Sequence, residues 1–221
     1  MPTALEPSRE EILRYLGFHG QNPDENTKAL IEEMIRTVQN TAAVGVCFEK
    51  SACKVLDSGV CLEKYALLLP GADIKKHLSG CSEVILMALT LGIGIERKIR
   101  EYEISDMTKA VILDCTASAM VETACNQACK EFDTGGLYQT ERFSPGYGDL
   151  PISLQADFLR ILNAGRRIGL TANDSSLLLP RKSVTAVIGL SETPPKKADR
   201  CSSCRMRERC EYRKRGDSCE N

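Results

Sequence analysis

Apolar and polar positions alternate along this chain in two periods, and the two periods take turns. Ser8-Arg9-Glu10-Glu11 opens a short helix that runs to Leu16, since a hydroxyl residue followed three places later by Glu is a capping box; Gly17 and Gly20 end it. Asn22-Pro23-Asp24-Glu25 starts a second helix, with Asn22 as cap and Pro23 at the first position. Leu30, Ile31, Met34, Ile35 and Val38 recur at helical spacing and carry it to about Asn40. Val44 to Phe48 and Lys54 to Leu56 read as short strands, and Leu67-Leu68-Leu69 is an apolar run closed by the Pro70-Gly71 turn. Asp73 to Leu78 fits a helical turn. Val84 to Leu91 is continuously apolar between Gly80 and Gly92, the pattern of a buried strand.

Beyond that strand the helical period dominates. A helix begins at Ile95-Glu96, and Ser105-Asp106 caps a long one over residues 107–131, rich in Ala, Val, Leu and Cys. Pro151 opens another, with Ile152, Leu154, Phe158, Leu159 and Leu162 on its apolar side; Gly165 and Gly169 break it up. Ser175 to Leu179 and Ser183 to Leu190 then read as a hairpin joined at Pro180-Arg181-Lys182. Long helices mixed with short strands predict an α+β fold. The main domain spans residues 1–195, and a Pro/Lys linker over 193–200 leads into a Cys-rich tail, residues 196–221.

Composition adds three points. With 221 residues and 43% hydrophobic content the chain can build one sizeable core. Its net charge of −1 is unevenly placed, because residues 196–221 carry nine Lys/Arg against five Asp/Glu. The first eleven residues have no apolar signal segment, and the run 84–95 is too short to span a bilayer, so no membrane role is expected. Eleven cysteines then imply reduced thiols or metal ligands, and a cytoplasmic location.

The densest chemistry lies at Arg142-Phe143-Ser144-Pro145-Gly146-Tyr147-Gly148-Asp149-Leu150-Pro151. Pro145 fixes one dihedral, while Gly146 and Gly148 permit conformations or approaches that a Cβ forbids. Such a turn can present the Arg142 guanidinium to a carboxylate or phosphate and the Tyr147 ring to a cation. The plainer reading is a tight loop before a helix, with Arg142 solvated. Glu122 shares a helix face with Cys115, Ala119, Cys125 and Cys129 by three- and four-residue steps. It lies either at the edge of the buried stripe or is aimed at something polar.

In the tail, Cys201-x-x-Cys204 with Cys210 and Cys219 offers four thiolates, a set that zinc or an iron–sulfur cluster accepts. The alternative is a basic tail with free thiols. A nucleic-acid role for it lacks an aromatic platform or recognition helix and is not favoured. Cys47, Cys53, Cys61, Cys81, Cys115, Cys125 and Cys129 read as small buried hydrophobes. His19 and His77 are isolated and read as structural or exposed. Gly92-Ile93-Gly94 lacks the third glycine of a dinucleotide-binding turn, and no ribose-binding acid is placed after a second strand.

Arg-x-x-x-Gly-Tyr at 142–147, followed by a Pro-started helix, resembles the S-adenosylmethionine-binding signature of the activation (reactivation) domain of cobalamin-dependent methionine synthase. Stand-alone bacterial members are the nearest in pattern, and the resemblance covers most of residues 8–195. It implies one domain on a twisted antiparallel β-sheet flanked by helices. It also implies reductive methylation of cob(II)alamin to methylcobalamin, with S-adenosylmethionine as methyl donor. By resemblance, Arg142 pairs with the methionine carboxylate, Gly146 allows close approach, Tyr147 sits beside the ligand, and Glu122 takes a cationic or hydroxyl group. The family's N-terminal ligand-contacting Asp has Asp24, Asp57 and Asp73 as candidates here. No Asp-x-His corrinoid loop is present, so the cobalamin is expected on a partner, a methionine synthase or another corrinoid protein. An electron donor of the flavodoxin or ferredoxin kind is implied as well, and that need favours iron–sulfur over zinc in the tail. The competing function is a module that docks on a corrinoid protein or senses S-adenosylmethionine without methyl transfer.

Overall fold

A computed structural model of the chain describes residues 5–18 and 21–195, together with 208 and 209. His19 and the tail cysteines Cys201, Cys204, Cys210 and Cys219 lie outside the described residues.

Two N-terminal helices come first. In α1 (Arg9–Tyr15), Ser8 Oγ accepts from the Glu11 amide at 3.3 Å. Helix α2 (Glu25–Thr41) is capped by Asp24, whose carboxylate accepts from the Thr27 amide at 2.7 Å. The cap is therefore Asp24 and not Asn22, and Pro23 precedes it instead of opening the helix. An ionised oxygen facing the free amides of the first turn is favoured by their partial positive charge.

Strand β1 (Gly45–Leu56) is one continuous strand where two short ones were expected. The polar stretch from Glu49 to Ser51 interrupts the apolar pattern but not the ladder, because β1 is half exposed and Lys50 pairs across to Glu83 at 2.7 Å. Strands β2 (Gly59–Leu62) and β3 (Leu67–Pro70) extend the sheet, and β2 had not been foreseen. Helix α3 (Ala72–His77) follows, then β4 (Cys81–Thr90), α4 (Ile93–Ser105) and α5 (Met107–Glu131). Asp106 caps α5 by accepting from the Lys109 amide at 3.1 Å.

The chain closes with β5 (Tyr138–Gln139), a 3₁₀ turn over Ile152–Leu154, α6 (Gln155–Ile161), α7 (Ala164–Ile168), β6 (Thr171–Ala172), β7 (Leu178–Leu179) and β8 (Ser183–Ser191). Gly165 lies inside α7. The break falls at Asn163, which adopts a left-handed conformation, and Gly169 ends the helix. Strand β7 pairs with β6, not with β8. The expected 175–190 hairpin is thus wrong: β8 is buried on both faces, and a two-residue edge strand could not bury it. It inserts instead between β4 and β5.

The main sheet runs β3-β2-β1-β4-β8-β5, antiparallel throughout, with helices on both faces. One core packs Met34, Val38, Leu113 and Met120 against Met87 and Ile188. The other packs Phe158, Leu162 and Leu69 against Leu86 and Val187. Sitting between two cores explains why β4 reads as an unbroken apolar run. No described helix is long and apolar enough to cross a membrane.

Candidate functional site

The site forms where the loop after β5 crosses the face of α5. Phe143 makes an isolated bridge with Val187, donating at 2.9 Å and accepting at 2.8 Å, so the loop is pinned to the central strand β8. The chain then turns tightly: the Tyr147 amide donates to Ser144 O at 3.0 Å and the Gly146 amide to Leu150 O at 2.9 Å. Gly146 has φ +93°, a conformation that disfavours any side chain. A Cβ on Gly148 would collide with the Asp73 carboxylate.

Two contacts brace this turn from α3. The Asp149 carboxylate accepts from the Ala72 and Asp73 amides at 2.6 and 3.1 Å, which ties the loop to the start of that helix. At its other end the His77 Nε2 lies 2.9 Å from Glu141 O and 3.1 Å from Thr140 Oγ1, with its ring 5.0 Å from that of Phe143. His77 is therefore structural, as its isolation in the sequence suggested.

Arg142 reaches back from the loop to α5. Its Nη2 donates to Glu122 Oε2 at 2.7 Å, and its Nη1 donates to Asn126 Oδ1 at 2.7 Å and to Cys129 Sγ at 3.8 Å. Burial opposes the Arg142 charge, but Cys125, Cys129 and Glu122 outweigh it and hold its pKa above the ordinary value. The guanidinium stays charged. Glu122 is thus aimed at a polar partner and not merely at solvent. The helix face read from the sequence divides: Ala119 and Cys125 are fully buried, whereas Glu122 and Cys129 turn to the loop, together with Asn126. Burial raises the Cys125 thiol to about 12, so it is an inert core group. Cys53, Cys61, Cys115 and Cys129 are only partly buried, which corrects the reading of all seven cysteines as core residues.

These groups border a cleft of about 500 Å³, lined by Glu122, Asn126, Glu141, Arg142 and Tyr147 together with Gln155, Ser183 and Thr185. Thr185 Oγ1 donates to Gln155 Oε1, and both residues are buried. Tyr147 is 60% exposed and packs edge-on to Phe143 with ring centroids 6.2 Å apart. The volume lies in the range of small-molecule sites. Of the residues singled out in the sequence, Glu122, Arg142 and Tyr147 meet in the cleft. Gly146 does not line it but shapes the turn. Asp24, Asp57 and Asp73 do not line it either. Asn126, Gln155 and Thr185 had been missed; Asn126 was findable as the residue one turn after Glu122. Among the described residues no group of three or more His, Cys, Asp or Glu side chains could hold a metal ion.

The architecture is that of a helix-flanked antiparallel sheet. The solved structure described as the MetH reactivation domain bound to AdoHcy matches it with a TM-score of 0.63, covering 93% of this chain and 80% of that one. Identity over the match is 13%, so the likeness is one of fold. No family model matches the sequence, and no curated protein matches it either.

Proposed function

We propose that the chain binds S-adenosylmethionine in this cleft and presents its methyl group to a corrinoid carried by a partner, thereby reactivating a cobalamin-dependent methionine synthase or a related methyltransferase. One observation carries the reading: Arg142, Glu122 and Tyr147 of the Arg-x-x-x-Gly-Tyr loop and its facing helix converge on one cleft. They do so in a fold whose solved counterpart has AdoHcy bound.

The residues present suit such a ligand. A guanidinium carries five N–H donors, and those on Nε and one on Nη2 are left after the contacts to α5. Two parallel donors match the two oxygens of the methionine carboxylate. Glu122, whose Oε2 holds Arg142, has Oε1 to accept from an ammonium or hydroxyl group. The exposed Tyr147 ring can lie beside a sulfonium, whose positive charge favours an aromatic face. The protein's part is orientation, and the partner's corrinoid supplies the methyl acceptor. An electron donor of the flavodoxin or ferredoxin class completes the reaction.

The test is methyl transfer from labelled S-adenosylmethionine to a reduced corrinoid protein, with and without this chain. Transfer that depends on the chain and falls by about tenfold or more with Arg142→Ala at limiting S-adenosylmethionine supports the reading. Binding of S-adenosylmethionine without transfer to any corrinoid partner replaces it with a sensing or escort role.

A further inference from the structure

We infer that Asn126 is a positioning residue for the ligand's carboxylate, an inference that rests on the binding role proposed for Arg142. Asn126 and Glu122 are one helical turn apart on α5, and they divide the tip of the guanidinium between them. Nη1 goes to the amide oxygen of Asn126 at 2.7 Å and Nη2 to the carboxylate of Glu122 at 2.7 Å. Cys129 Sγ accepts at 3.8 Å from Nη1, so both hydrogens on that nitrogen are engaged by α5. Among the described residues this leaves Arg142 with the Nε–H and one Nη2–H for an incoming ligand.

The chemistry of the two holders differs, and the difference matters. Glu122 neutralises the guanidinium as well as holding it. Asn126 holds it without adding charge. One cation and one carboxylate leave the pair neutral, and a ligand carboxylate can still approach. A second carboxylate at position 126 would make the pair net negative and repel that group, while favouring a ligand whose only charge there is an amine. Without any acceptor at 126, the guanidinium would be free to swing about its remaining contacts and would present its donors less consistently. Asn126 is exposed, so replacing it does not threaten the core.

The experiment compares two ligands on three proteins by calorimetry: S-adenosylhomocysteine and its decarboxylated analogue, on wild type, Asn126→Leu and Asn126→Asp. Wild type should prefer the carboxylate-bearing ligand. Asn126→Leu should weaken that ligand by about three- to tenfold, the scale of one hydrogen bond, with the analogue unchanged. Asn126→Asp should weaken the carboxylate ligand and strengthen the analogue, effects of opposite sign that general loosening of the site cannot produce. If both variants keep the wild-type preference, or if both ligands weaken together, the positioning role is overturned while the Arg142 reading survives. If wild type itself shows no preference, that reading falls and the inference with it.

Discussion

Arg142 and Glu122 are paired before any ligand arrives, with Nη2 and Oε2 2.7 Å apart and side chains 21% and 37% exposed. A ligand carrying both a carboxylate and an amine therefore meets a pair with no net charge, and recognition by that pair depends on geometry more than attraction. Lysine cannot reproduce that geometry, because three donors on one nitrogen cannot hold Glu122 and Asn126 and still offer a ligand carboxylate two parallel N–H groups. Arg142→Lys should keep its fold and lose about tenfold in affinity for S-adenosylmethionine. Wild-type affinity in this variant would show that only the charge matters.

Asp149 holds the loop to α3 by capping two amides. Asp149→Ala should cost about 1 kcal/mol of stability, as lost caps do, measured by urea denaturation. It should also weaken ligand binding, since Tyr147 sits on the released turn. Unchanged stability would mean that the Phe143–Val187 bridge alone fixes the loop.

Glu96 is 5% exposed on α4, and its carboxylate accepts from the Arg181 backbone amide just before β8. Glu96→Ala leaves that amide without its partner, at a cost of about 1–3 kcal/mol. Ser183 and Thr185 of the cleft wall follow within four residues, so ligand affinity should fall too. A variant as stable as wild type, with normal binding, would show that β8 is positioned by its strand neighbours alone.

Burial raises the Cys125 thiol from 9.0 to about 12 and the Cys53 thiol to about 11. The folded protein holds both protonated where the unfolded chain would ionise them. Their contribution is fully present below pH 9 and is lost as pH rises through the folded values. Urea midpoints should therefore fall between pH 9 and 12, and Cys125→Ala should fall less steeply than wild type over that range. Identical slopes would exclude Cys125 as a contributor.

The helices were legible because their signals are local. Ser8 and Asp106 cap where the sequence places caps, and the apolar spacing of α2 and α5 corresponds to what they bury. Strand pairing was less legible, since it depends on which distant strand supplies a buried face. Nothing local in residues 175–190 reveals that β8 must lie between β4 and β5. In the site, the Arg142 loop stood out by its turn-formers, but Asp149 as a cap for Ala72 joins positions 77 apart and leaves no periodic trace. Thr185 and Gln155 are polar residues within buried elements, and only the assembled fold shows that they line a cleft.

The most direct test of the account is calorimetric titration of S-adenosylmethionine into wild type and Arg142→Ala. Loss of a charge-assisted bidentate pair should weaken binding by about 1.5–3 kcal/mol, roughly tenfold to a hundredfold. Equal affinity in the two proteins, or no binding by wild type even with a corrinoid partner present, would contradict the assignment of this cleft.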